Sequence, residues 1–252
     1  MRFKTHYNIR SYEVDLHGAL KPMQLMQLLQ ESGDRQMREE AVAYDELYTK
    51  EHKSFVVSRM NIEVFRPVEK YSDVNVETWI VPGKGANFPR GYEMYKDGQL
   101  VAKAICNWAL IDTITGKLIA SKDYDMGSYS MDEAPELSIP RRFRIPKELN
   151  FQEVERSKVT VSMIDINMHM NNTVYASKLY DNIPDAEKYF VTSINLRYVH
   201  EAPLGSEFKV YRSEAVEQRD MDPRAEKVIY FYTEAAGELN LEAAVGLKKV
   251  KI

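Results

Sequence analysis

The 252-residue sequence predicts an α+β chain in which one plan, a strand, a helix and an antiparallel meander, occurs twice. Three observations carry this. Val56, Ser58, Met60, Ile62 and Val64 alternate with the period of a half-buried strand, as do Val74, Val76, Thr78 and Ile80. Two stretches switch to helical spacing. Leu25, Leu28, Leu29 and Ser32 follow Pro22, and Ala176, Leu179, Tyr180 and Ile183 precede Pro184. Between the two halves, a segment rich in Asp, Ser, Pro and Arg reads as a linker. The expected division is an N-terminal unit over 1–120, a linker over 121–155 and a C-terminal unit over 156–252. Two antiparallel sheets, each wrapping its own long helix (about 20–40 and 172–182), should lie side by side as a largely continuous whole.

The elements follow in order. Residues 5–16 read as a strand, and Pro22 opens the first helix, with Gly33 near its end or at a kink. After the two alternating runs, Lys96-Asp97-Gly98 is a hairpin turn into a long strand from Leu100 to Asp112. The second half repeats the order with a helix over 172–182 and strands over 190–200, 207–214, 226–235 and 239–252.

Composition bounds the function. Apolar residues make up 44% and charged residues 29%, as in ordinary globular proteins. A net charge of −4 gives no general attraction to nucleic acid. No apolar run approaches the ~20 residues of a membrane-spanning helix. Met1-Arg2-Phe3-Lys4 has no signal-peptide character, so a cytoplasmic location is expected. Cys106 is the single cysteine, which excludes an internal disulfide and reads as a small buried apolar residue. Asn171-Asn172-Thr173 matches a glycosylation sequon, which has no meaning without secretion. There is no Gly-x-Ser-x-Gly elbow, P-loop or dinucleotide fingerprint.

The chemistry concentrates in Asp165-Ile-Asn-Met-His-Met170. In an extended backbone, Asp165, Asn167 and His169 would share one face, while Ile166, Met168 and Met170 would turn into apolar surroundings. Asn171, Asn172 and Thr173 then supply helix-capping side chains, and the following helix start offers backbone N–H groups to an oxyanion. A second stretch, from Ile194 to Gly205, reads as a strand that delivers Glu201 to its end. His200 should point away from Glu201 if the strand continues, which leaves it outside the site. Asp165, His169 and Glu201 are also metal-ligand types, but no short His-x-His or His-x-x-x-His spacing accompanies them. No metal or cofactor is therefore expected.

The Asp-x-Asn-x-His stretch, the helix after it and the strand-end Glu201 resemble the acyl-acyl-carrier-protein thioesterase family. The resemblance extends through Arg10-Ser-Tyr-Glu13, Phe55 to Val64, Val76-Glu-Thr-Trp79, Gly83-Lys84, Arg90 and Trp108. It implies a tandem double hotdog fold and hydrolysis of an acyl thioester carried on acyl carrier protein. The implied catalytic set is Asp165, Asn167, His169 and Glu201. Plant members carry a Cys after the Glu. Here that position is Ala202, which excludes a cysteine nucleophile. Glu201 as general base on water and Asp165 as nucleophile both stay open. The substrate-binding expectation is Asn171 and Asn172 at the helix start, with Met23 and Met26 lining the acyl chain in a non-catalytic first half. In that half, Glu13-x-Asp15-x-His17 is set against the catalytic stretch, and Val68 or Glu69 against Glu201. The expected partner is acyl carrier protein bearing a phosphopantetheine-linked acyl chain, with Arg141, Arg142, Arg144 and Lys147 as basic contacts. A homodimer is the oligomeric form considered. The competing readings are an acyl-coenzyme A thioesterase, a hotdog dehydratase and a non-catalytic acyl-binding module.

Overall fold

The structure is a computed structural model that describes residues 2–40, 44–126, 129 and 131–250. Its elements in chain order are β1 (Phe3–Asn8), α1 (Pro22–Glu40), α2 (Tyr44–Glu51), β2 (Lys53–Val64), β3 (Asp73–Ile80), β4 (Phe88–Lys96), β5 (Gln99–Asp112) and β6 (Leu118–Ile119). The second half adds β7 (Phe151–Lys158), α3 (Asn172–Asp181), β8 (Tyr189–Tyr198), β9 (Glu207–Ser213), β10 (Lys227–Ala235) and β11 (Glu238–Lys249).

The strands form one 11-stranded sheet in the order β1-β3-β4-β5-β2-β8-β11-β10-β9-β7, with β6 paired to β5. Every named pairing between strands is antiparallel. The expectation of two sheets is thus corrected to a single one. Its halves join where β2 pairs β8, from Arg59 opposite Arg197 to Glu63 opposite Ser193. Buried polar groups fix this seam. Asn61 Nδ2 donates to Asn195 Oδ1 at 2.7 Å. Arg224 reaches Glu63 at 3.2 Å and the Thr192 carbonyl at 3.0 Å. A slip by one residue would strand these amides and charges in the interior, so they specify the register.

The main apolar core lies between the sheet and the helices, and smaller clusters form around Tyr230 and around Leu47 and Leu110. Leu25, Met26 and Leu29 of α1 and Tyr175, Ala176 and Leu179 of α3 pack with Met60 and Ile62 of β2 and with Ile194 and Leu196 of β8. The residues between them on the strands, Arg59, Asn61, Asn195 and Arg197, face the other side. There the segment after residue 130 crosses the sheet: Asn61 donates to the Pro140 carbonyl and Trp79 to the Glu133 carbonyl. The hairpin read at Lys96-Asp97-Gly98 is present. Asp97 and Gly98 both have positive φ, as a two-residue turn matched to strand twist requires. Pro89 does not disturb its hairpin, because it stands at the start of β4, past the last β3 pair at Ile80 and Arg90. No described helix is long and apolar enough to cross a membrane.

Trp79 and Gly91 stand opposite each other on β3 and β4. A Cβ at Gly91 would lie 2.5 Å from the indole Cε2 of Trp79. The ring cannot withdraw, since it is fully buried and the Arg2 guanidinium sits 3.7 Å above it. Gly91→Ala should therefore destabilise the protein by about 1–3 kcal/mol through overpacking. Urea unfolding checks this, and an unchanged midpoint would refute it.

Candidate active site

Asp165 to Met170 is a tight turn, not the extended run expected from its alternation. Met168 N donates to the Asp165 carbonyl at 3.0 Å, and Asp165 N to the His169 carbonyl at 3.1 Å. Asn167 N donates to Asp165 Oδ1 at 2.9 Å. The carboxylate has captured a backbone N–H two residues on, which is how Asp competes with strand geometry. Met168 accordingly takes a φ of 65°, a left-handed conformation that costs about 1 kcal/mol or more in a non-glycine residue. Ile166 and Met168 are 69% and 60% exposed, and only Met170, at 3%, enters the core.

The same turn occurs in the first half, 150 residues earlier. Gly18 N donates to the Asp15 carbonyl, His17 N to Asp15 Oδ1, and Asp15 N to the Ala19 carbonyl. Gly18 takes the left-handed position that Met168 occupies in the second copy. Leu20 N bonds the Val68 carbonyl as Met170 N bonds the Ala202 carbonyl. These bonds correct the expected correspondence. Asp15 matches Asp165, His17 matches Asn167, Ala19 matches His169, and Pro67, not Val68 or Glu69, matches Glu201. Glu13, Asp15 and His17 mimic the second stretch in residue type two positions out of step, whereas the helix starts at Pro22 and Asn172 set the true register. The first copy thus has neither imidazole nor carboxylate at the two positions that meet in the second.

In the second copy they do meet. His169 Nε2 lies 2.9 Å from Glu201 Oε2. Both side chains are partly exposed and line a groove of about 480 Å³ with Asp165, Asn167 and Asn172. A smaller cavity of about 190 Å³ adjoins it and shares Phe55, Asp165, Asn167 and Asn172. From there it runs inward past Gln30, Gly33, Met37, Phe88, Arg90 and Trp108 of the first half. Met23 and Met26 do not line either space. Met26 is buried in the core under the first turns of α1, and the cavity opens farther along, where Gly33 leaves room.

The start of α3 is partly used by its own cap. Asn171 Oδ1 accepts from Thr173 N at 2.9 Å and from Thr173 Oγ1 at 2.7 Å, and the Asn171 carbonyl accepts from Val174 N. Two of the N–H groups expected to face an oxyanion are therefore taken. The Asn172 N–H has no protein acceptor among the described residues.

Several groups around the groove were not found from sequence. β8 ends at Tyr198, so alternation fails beyond it and His200 lines the groove beside Glu201. Tyr175 and Tyr198 pack edge to face, with ring centres 5.5 Å apart. Burial, with Glu201 and Asp165 nearby, pushes the Tyr175 hydroxyl well above the ordinary tyrosine range, so it stays protonated. Asn240 of β11 ties these parts together. Its Nδ2 donates to Tyr175 Oη at 3.1 Å and to the His200 carbonyl, and its Oδ1 accepts from Thr233 Oγ1 at 2.8 Å. Ala202 is buried in the core. Cys106 is buried too, and burial pushes its thiol well above the range of a reactive cysteine.

Residues 1–129 match the acyl-ACP thioesterase N-terminal domain family, and residues 147–243 match the C-terminal domain family. The chain belongs to the acyl-ACP thioesterase family. It is 25% identical to the chloroplastic oleoyl-acyl carrier protein thioesterase of Coriandrum sativum over 206 residues, 75% of this chain and 56% of that protein. It is also 25% identical to the chloroplastic palmitoyl-acyl carrier protein thioesterase of Arabidopsis thaliana, over 79% of this chain and 52% of that protein. The chain spans about half the length of the curated relatives it matches. Among solved structures, an acyl-ACP thioesterase of Bacteroides thetaiotaomicron shares the fold with a TM-score of 0.82, 21% identity and 97% coverage of both chains. The 12:0-ACP thioesterase of Umbellularia californica shares it with a TM-score of 0.75, 18% identity and coverage of 99% of this chain and 98% of that one.

Proposed function

We propose that this acyl-ACP thioesterase family member hydrolyses the thioester of a long- or medium-chain acyl group on acyl carrier protein and releases the free fatty acid, which ends chain elongation. The observation that carries this reading is the His169–Glu201 pair in a groove that shares Phe55, Asp165, Asn167 and Asn172 with the inner cavity. The two halves are read as paired hotdog units, with the acyl chain housed by 1–120, the chemistry by 156–252 and 121–155 as linker. The make-up of the inner cavity supports this, since most of its lining comes from the first half.

The chemistry follows from the parts. The phosphopantetheine arm lies in the groove and the acyl chain enters the inner cavity. Glu201, oriented by His169, takes a proton from water as its oxygen attacks the thioester carbonyl carbon. The carbonyl oxygen gains the electron pair and is held by the Asn172 N–H and the Asn167 carboxamide. When the tetrahedral intermediate collapses, the C–S bond breaks and the thiolate takes a proton through His169. General-base assistance of this kind contributes about 10²–10⁴ in rate. Asp165 is a weaker nucleophile in this geometry, because its carboxylate holds the turn that presents Asn167.

Preference for acyl carrier protein over coenzyme A is part of the reading. Arg59, Arg142 and Arg197 gather on the face of the sheet away from the helices, and burial together with Arg197 and Arg142 pulls the Arg59 pKa down. Arg141 and Arg144 are exposed on the same segment. Such a cluster attracts an acidic partner. With equal acyl chains, kcat/KM should be higher on the carrier-protein thioester. Replacing Arg141, Arg142 and Arg144 together should raise KM more than it lowers kcat, and added salt should weaken the wild type in the same way. Equal or better kcat/KM on coenzyme A thioesters would establish the alternative substrate class.

A further inference from the structure

The inner cavity has a polar wall that a plain hydrocarbon chain does not explain. Tyr92 of β4 is fully buried, and its hydroxyl has no hydrogen-bond partner among the described residues. Trp108 Nε1 and Gln30 Nε2 are likewise buried and unpartnered. All three residues line the same cavity of about 190 Å³. Trp108 Nε1 approaches Tyr92 Oη without forming an aligned hydrogen bond. The space before the hydroxyl is kept open by Gly33 of α1, whose Cβ, if present, would lie 3.2 Å from Tyr92 Oη. An unpaired buried polar group costs about 1–3 kcal/mol. Three around one cavity, beside the apolar side chains of Met37, Phe55, Ile80 and Phe88 and the charged Asp34, Arg90 and Asp165, point to a ligand atom that pairs with them.

The donors define that atom. The indole N–H and the amide NH₂ can only donate, and the phenol, kept protonated by its burial, donates too. The complement is an oxygen with free lone pairs. An uncharged oxygen suffices, because the charged groups that line the cavity, Arg90 against Asp34 and Asp165, leave no excess of positive charge for an anion. We propose that the inner cavity selects an oxygenated acyl chain, whose hydroxyl or keto oxygen accepts hydrogen bonds from Tyr92 and Trp108. This rests on the reading of the inner cavity as the acyl site.

The test reads binding without turnover. Glu201→Gln protein is titrated, by tryptophan fluorescence, with unsubstituted carboxylic acids and with hydroxy acids of equal length substituted at successive carbons. At least one hydroxy acid should bind about tenfold tighter than its unsubstituted counterpart, the size expected when otherwise unpaired donors gain a partner. Tyr92→Phe removes one oxygen and keeps the ring, so it should bring that ratio to near one and leave the unsubstituted acid unaffected. The same ratio should appear in kcat/KM of the wild type on matched carrier-protein thioesters. Unsubstituted acids that bind as tightly as every hydroxy acid, or a preference that survives Tyr92→Phe, would overturn the inference. An enzyme that turns over acyl thioesters but ignores the oxygen sinks this inference alone. A protein that discriminates the acids yet hydrolyses no thioester sinks only the hydrolytic reading.

Discussion

Glu201→Gln should lower kcat by about 10²-fold or more, within the range that loss of a general base produces, and leave folding intact. The change keeps the volume of the side chain and removes its ability to take a proton from water. The carboxylate is more than half exposed, so no buried packing is disturbed. His169→Ala should produce a loss of similar size, because His169 Nε2 holds Glu201 at 2.9 Å and Glu201 alone keeps no fixed direction toward the water. The double variant should lose far less than the product of the single losses, as groups that act as one unit do. Single-turnover rates on one acyl-carrier-protein thioester, with circular dichroism as the folding control, decide the matter. Near-normal turnover in Glu201→Gln would transfer the chemistry to Asp165, whose carboxylate is the rival nucleophile. Ala202→Cys separates the chain further from a cysteine mechanism. The position is buried in the core, and activity should stay within a few-fold of the parent.

How far the sequence could be read depended on the range of the interaction that decided each feature. Val74, Val76, Thr78 and Ile80 announce β3, because a strand with one buried face writes its period into neighbouring residues. Lys96-Asp97-Gly98 announces its hairpin because the turn requires positive φ at two adjacent residues. Asp165 misled for a local reason: its side chain bonds the Asn167 N–H and bends the chain, so an alternating pattern became a turn. The turn reverses the expected direction of Ile166 and Met168 and still brings His169 to Glu201. The seam between Asn61 and Asn195 was not legible, since nothing within either strand marks which strand will lie beside it. The polar wall of the inner cavity was equally hidden, because Gln30, Tyr92 and Trp108 come from α1, β4 and β5 and have no common spacing. Met23 and Met26 show the converse. Residue type suggested a flexible acyl lining, but position along α1 decided where the cavity opens.

Asn240 is the case in which a residue silent in the sequence should matter most for both stability and rate. It lies on β11, wholly buried, 39 residues beyond Glu201 in the chain (240 minus 201). Its amide serves Thr233, Tyr175 and the carbonyl of His200, the residue next to Glu201. Asn240→Ala leaves the Thr233 hydroxyl and the His200 carbonyl without this partner and opens a small cavity. The loss should be about 2–4 kcal/mol, in the upper part of what a single substitution produces when a buried hydrogen-bond network breaks. Loosening the His200 carbonyl also frees the backbone that carries Glu201, so kcat should fall about tenfold at a temperature where the variant is fully folded, with KM nearly constant, a loss of about 1.4 kcal/mol in transition-state stabilisation. A purely structural residue would lower the unfolding midpoint and spare kcat. Asn240→Asp distinguishes the two roles. It keeps the acceptor toward Thr233 and removes both donors, so it should retain the kinetic defect. Recovery of normal kcat in Asn240→Asp, or a stability change within ~0.5 kcal/mol in Asn240→Ala, as for a surface substitution, would show that the amide does not position Glu201.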